Sequence, residues 1–156
     1  MKFHQAVCRI QVLSDAYKPG LKALKEIDKN RLECRETRRL NGSVNLEETF
    51  RSYHPDETIW DYGIGWKKNQ TDDVVIWIEV HPASSSHIRE IIAKVAWLKK
   101  WLNANDENRN LSNMTRKEDG YVWIASGRVS FQRTAKQARQ LAQAGVSFPR
   151  EKFILK

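Results

Sequence analysis

The stretch DDVVIWIEVHP, Asp72 to Pro82, is a β-branched and aromatic run with one carboxylate, Glu79, near its end, His81 two residues later and Pro82 closing it. Such a run reads as a buried strand. A carboxylate inside it costs free energy unless it is paired or sits at the strand's solvated end, and both readings are open for Glu79. Upstream, TIWDYGIGW (Thr58 to Trp66) alternates and is aromatic, and the polar KKNQTDD (Lys67 to Asp73) separates the two runs. Together they read as an antiparallel hairpin. If Trp66 faces Val74, paired positions sum to 140 and Asp61 lies opposite Glu79. Opposed residues share a face with Cβ atoms roughly 4.5–5.5 Å apart, and a slip of one residue would separate them. Two like charges so placed require a proton, a basic side chain or a cation between them.

Working outward, Phe3, Val7, Ile10 and Leu13 recur at helical spacing while Cys8, Ile10 and Val12 alternate, so the first element is open to both assignments. Leu21, Leu24, Ile27 and Leu32 suggest a helix whose arginine-rich continuation runs to a turn at Asn41-Gly42. Asn45 with Glu48 forms a capping-box pattern for a helix ending before Pro55. Ser84 to Ser86 supply an N-cap for a long helix striped by Ile88, Ile91, Ile92, Val95, Leu98 and Leu102. The Asn-rich NANDENRNLSN, 103–113, reads as a loop, YVWIA (121–125) as a buried strand, Thr134 with Gln137 as a second capping box, Gly145 as that helix's end and KFILK as a short closing strand. The expected fold is mixed α/β, a small mixed sheet with a central hairpin flanked by helices.

With 156 residues, 40% hydrophobic, the chain has apolar surface for one ordinary core, so a single domain over 1–156 is expected. Cys8 and Cys34 are too few for a disulfide framework and lack metal-ligand spacing, which points to a reducing compartment. Arg9 and Gln11 interrupt any signal-peptide core, and no apolar stretch is long enough for a membrane span, so a cytoplasmic protein with no membrane partner is expected. A net charge of +8 makes a polyanion, DNA or RNA, a natural partner, although a solvated basic surface accounts for the same charge.

The pairing of Asp61 with Glu79 suits a magnesium or manganese ion, which takes one or two carboxylates and fills its shell with water and phosphate. His81 shares Glu79's face and could orient or deprotonate an attacking water. Asp61, followed on the next strand by Glu79-Val80-His81 and then a helix, resembles the core of the PD-(D/E)XK nuclease superfamily. The resemblance covers about 45–125, with an N-terminal helical extension and a C-terminal helix and strand outside it, and implies a restriction-endonuclease-like fold. It implies that Asp61 and Glu79 bind the metal, with Glu48 or Glu47 as a further acid from the preceding helix. Trp60 stands where the name-giving proline would be. His81 replaces the lysine, which some branches of the superfamily carry on the following helix, where Lys94 stands.

Each residue also has a plainer role. Asp61 could begin a strand, Glu48 is the capping box's acid, His81 a strand-end residue, His87 a first-turn residue and Lys94 a surface lysine. Gly63 and Gly65 sit in a strand pattern without a phosphate-loop signature and suit a bend or close backbone approach. Trp97 and Trp101 are expected in or near the core, and the serines lack a hydrolase elbow. The expected function is a metal-dependent nuclease-like protein hydrolysing nucleic-acid phosphodiesters. The alternative is a non-catalytic nucleic-acid-binding or regulatory protein on a related scaffold.

Overall fold

The computed structural model describes residues 1–156. At its centre is a five-stranded mixed sheet. β2 (Leu40–Asn45), β3 (Tyr62–Lys67) and β4 (Asp73–His81) form an antiparallel meander, to which β5 (Tyr121–Ala125) and β6 (Val146–Arg150) add in parallel, in the order β2-β3-β4-β5-β6. The hairpin has the register its sequence demands: Trp66 faces Val74 and Tyr62 faces Ile78. Alternation along β4 sends Val75, Trp77 and Glu79 to one face and Ile76, Ile78 and Val80 to the other.

Helices cover the first face. α1 (Phe3–Cys8), α3 (Leu46–Arg51), α4 (Ile88–Leu102), α5 (Asp106–Met114) and α6 (Lys136–Gln143) contribute Phe3, Phe50, Val95, Leu111 and Leu141 to a core shared with Trp77 and Trp123. Two glycines let this face close down on the hairpin. A Cβ on Gly63 would lie 2.6 Å from the Trp77 ring, and one on Gly65 would overlap Phe3. The close approach is by side chains and not by backbone, and a methyl at either position costs about 1–3 kcal/mol.

The second face, with Tyr62, Ile64, Trp66, Ile76, Ile78, Val122 and Ile124, is covered by a two-stranded parallel ribbon of β1 (Leu32–Cys34) and β7 (Phe153–Leu155), together with Leu24. The molecule is thus layered as helices, sheet and ribbon.

Several local expectations are corrected. Residues 21–39 hold only the single turn α2 (Glu26–Lys29), β1 and a 3₁₀ turn at Thr37–Arg39, and Ile27 is 68% exposed. Apolar residues at helical spacing here serve the ribbon layer instead. Asn41-Gly42 is no chain reversal: it lies within β2, where Gly42 at φ 104° accompanies a register shift between Leu40 and Ser43. The Asn-rich segment is helical, because Asn105 accepts from the Asn108 amide at 2.9 Å as an N-cap, and Leu111 and Asn108 are buried. Ser84 bonds His87 at 2.7 Å, and a 3₁₀ turn, Ser85–His87, precedes α4, which starts without a side-chain cap. Thr134 does not cap α6 either: the N-cap is Ala135, and the Thr134 hydroxyl meets Gln132 at 3.5 Å. Gly145, at φ 83°, does follow the end of α6. The first element is helical, since Phe3, Ala6 and Val7 bury one side of it.

Candidate functional site

Glu79 is fully buried on the helix face of β4. Its Oε1 accepts the Asp61 backbone N–H at 3.0 Å, and the Asp61 Oδ2 in turn accepts the Val80 N–H at 3.0 Å. Asp61 lies just before β3, so these two side chains continue the β3–β4 ladder beyond its last backbone rung. The Asp61 carbonyl is held by the Leu46 N–H at 2.8 Å, which brings the start of α3 to the same place. Lys94 reaches down from the second turn of α4, its Nζ donating to Glu79 Oε2 at 2.7 Å, with only 13% of its side chain exposed.

Two carboxylates thus share one ammonium. Burial, then the neighbouring Asp61 charge, raises Glu79 well above the ordinary carboxylate range, with Lys94 opposing. Burial raises Asp61 to about 6, again against the pull of Lys94 and the Val80 N–H. Burial works to lower Lys94, but the Glu79 charge and hydrogen bond outweigh it and the ammonium is held above its usual value. With both carboxylates charged, the cluster is one positive charge short.

The other expected site residues divide. His81 shares the face of Glu79, but its Nε2 lies 3.1 Å from Glu90 Oε2 and its Nδ1 3.0 Å from the Pro82 carbonyl. Both ring nitrogens are thus turned to acceptors other than the Asp61–Glu79 pair. Glu90, one turn before Lys94 on α4, is the partner that sequence reasoning missed. The i, i+4 spacing of Glu90 and Lys94 was the signal available. Glu48 turns to Asn45: its backbone N–H donates to Asn45 Oδ1 at 2.9 Å and its carboxylate accepts from the Asn45 amide at 3.3 Å. It is Glu47, paired with Arg51 at 2.7 Å, whose charge acts on Asp61. No three His, Cys, Asp or Glu side chains are gathered to hold a metal, so Asp61 and Glu79 make a two-carboxylate arrangement without Glu48. His87 packs edge-on to His81, ring centroids 4.9 Å apart.

Only one carboxylate oxygen of the pair is open to a cation, since both Glu79 oxygens are engaged and buried. Asp61 Oδ1 has no hydrogen-bond partner and is not sealed from solvent, whereas Oδ2 is engaged. The raised carboxylates are also of the kind that a cation relieves. The chain matches no family model, no curated protein and no solved structure. No helix is long and apolar enough to cross a membrane.

Proposed function

We propose that the protein is a magnesium- or manganese-dependent nuclease-like enzyme on a restriction-endonuclease-like core, acting on DNA or RNA phosphodiesters in a reducing cytoplasm. The observation that carries this reading is the convergence of Asp61, Glu79 and Lys94 at one end of the hairpin, with Lys94 Nζ on Glu79 Oε2 at 2.7 Å. A lysine on the following helix thereby stands in for the one that His81 replaces.

Asp61 Oδ1 would hold the ion. When bound, it neutralises phosphate charge and acidifies a water. Lys94 fixes the Glu79 rotamer and supplies the fixed cation of the site. The Asp61 and Val80 backbone N–H groups lock the two carboxylates against each other, so both are pre-positioned before substrate arrives. His81, tied to Glu90, holds the rim of the site and the start of α4. The free thiols of Cys8 and Cys34 suit the compartment.

The burial of Glu79, with both oxygens already engaged, favours the second reading, a non-catalytic nucleic-acid-binding protein whose carboxylates only close the sheet. Purified protein incubated with labelled single- and double-stranded DNA and RNA in Mg²⁺, Mn²⁺ or EDTA separates the two. The enzyme reading expects metal-dependent cleavage that Asp61→Asn and Glu79→Gln abolish. Salt-sensitive binding without cleavage of any substrate sinks it and leaves the binding protein.

A further inference from the structure

At the end of the sheet opposite Glu79, a groove of about 940 Å³ opens between the start of β4, the C-terminal end of α5 and the β6–β7 segment. Seven Lys and Arg line it against four Asp and Glu, and three of the four acids are already occupied. Asp72 accepts from the Met1 amine at 2.6 Å, Asp73 from the Phe3 N–H at 2.8 Å and Asn41 at 2.9 Å, and Asp119 from Ser147 at 2.6 Å and Arg150 at 3.0 Å. Lys68, Lys117 and Lys152 are exposed and have no acidic partner.

Two guanidiniums are fixed at its centre. Arg116 and Arg150 both lie on the Phe153 ring, their carbons 5.9 and 5.2 Å from its centroid. Arg116 donates through Nε to the Glu118 carbonyl at 2.7 Å and through Nη2 to that of Asp119 at 3.4 Å, leaving Nη1 free. Burial pushes Arg116 below its usual range, with Asp119 and Glu118 opposing this and Arg150 reinforcing it. Asp119 reaches Arg150 from a left-handed turn, φ 50°, a conformation that Asp tolerates better than most residues.

We propose that this groove binds the sugar–phosphate backbone of a nucleic-acid strand, with Arg116 and Arg150 as the fixed fork and Lys68, Lys117 and Lys152 as flanking charges. Guanidiniums suit phosphate oxygens in paired geometry. The cations come from separate chain segments around an open groove, which fits successive phosphates along a strand better than one enclosed anion. Trp66 and Phe153 are each only 2% exposed, so no ring is offered for base stacking, and the contacts are to backbone, without sequence readout. The groove lies roughly 20 Å from Glu79, six residues back along β4. Its role therefore stands whether or not the carboxylate cluster cleaves.

Fluorescence anisotropy of the full chain with an end-labelled single-stranded oligonucleotide, titrated with salt, tests this. Lys117→Glu with Lys152→Glu is expected to weaken binding by about tenfold or more and to flatten the salt dependence by about one to two units of slope. Lys136→Glu with Arg139→Glu, an equal change of net charge on exposed positions of α6, is expected to stay within about twofold of the parent. The proposal is overturned if the two double variants lose affinity equally, or if the parent shows no salt-sensitive binding. Displacement of the strand by polyglutamate or inorganic triphosphate as effectively as by unlabelled oligonucleotide also overturns it. Anisotropy read in EDTA reports strand binding without cleavage, so the two readings fail separately.

Discussion

At the Glu79 end of the central sheet, two carboxylates share one ammonium beneath α4, Glu79 sealed from water and Asp61 only partly so, both bonded to backbone N–H groups. At the Asp73 end, the excess is of the other sign, and the charges stand open to solvent around a groove. The same hairpin carries both, since β3 and β4 each run from one end to the other. What separates them is dielectric. A buried charge is worth or costs several kcal/mol and must be balanced inside the fold, whereas an exposed one costs the fold almost nothing and acts on what approaches from outside.

The sharpest way to break this contrast is Lys94→Met. Removing the only cation strands two buried carboxylates, and a loss of about 3–5 kcal/mol is expected in urea unfolding at pH 8. Much of that loss returns at pH 5, where both acids accept protons. A variant as stable as its parent at pH 8 would show that charge does not hold this end.

Asp61→Asn works in the opposite direction. With the folded-state pKa raised from an unfolded value of 3.8 to about 6, the native state binds more protons between those values, so its stability falls as pH rises through that window. The amide keeps an acceptor for the Val80 N–H and removes the charge. A gain of about 2 kcal/mol is therefore expected at pH 8, vanishing toward pH 4, by the same unfolding assay. Adding Mg²⁺ should raise the melting temperature of the parent, by the equivalent of about 1.4 kcal/mol at tenfold its dissociation constant, and leave Asp61→Asn unmoved. An equal shift in both would place the ion elsewhere. The smallest effect belongs to the open end: the Lys117→Glu, Lys152→Glu double variant should match the parent's stability within about 0.5 kcal/mol. A larger loss would mean that these lysines serve the fold as well as a ligand.

Much of the buried end was legible because period-2 patterning and a polar connector set the hairpin register, and register alone put Asp61 across from Glu79. Lys94 could be named from its position on the next helix, although nothing local distinguished it from a surface lysine. Glu90's hold on His81 was missed, because an acid in the first turn of a helix already has a sufficient local reason to be there. Strands β2 and β6 were hidden for a shared reason. Both are outer strands carrying turn-forming residues, Asn41-Gly42 in one and Pro149 in the other, which an edge tolerates and a central strand would not. The groove was invisible in sequence because its cations, from Arg39 to Lys156, are brought together only by the folded sheet.

The ribbon layer also bears on how the chain is made. Leu32–Cys34 finds its partner in Phe153–Leu155, about 120 residues later. At typical ribosomal rates of about 5–20 residues per second, the first strand waits on the order of 10 s for its mate. For the later part of that interval the second face, with Ile64, Ile76 and Ile78 already synthesised, lacks the cover that Phe153 and Leu155 provide. The helix side closes only slightly sooner, since Leu141 of α6 and Val146 complete its core, so both faces of the sheet stay incomplete until residues 138–155 have been made.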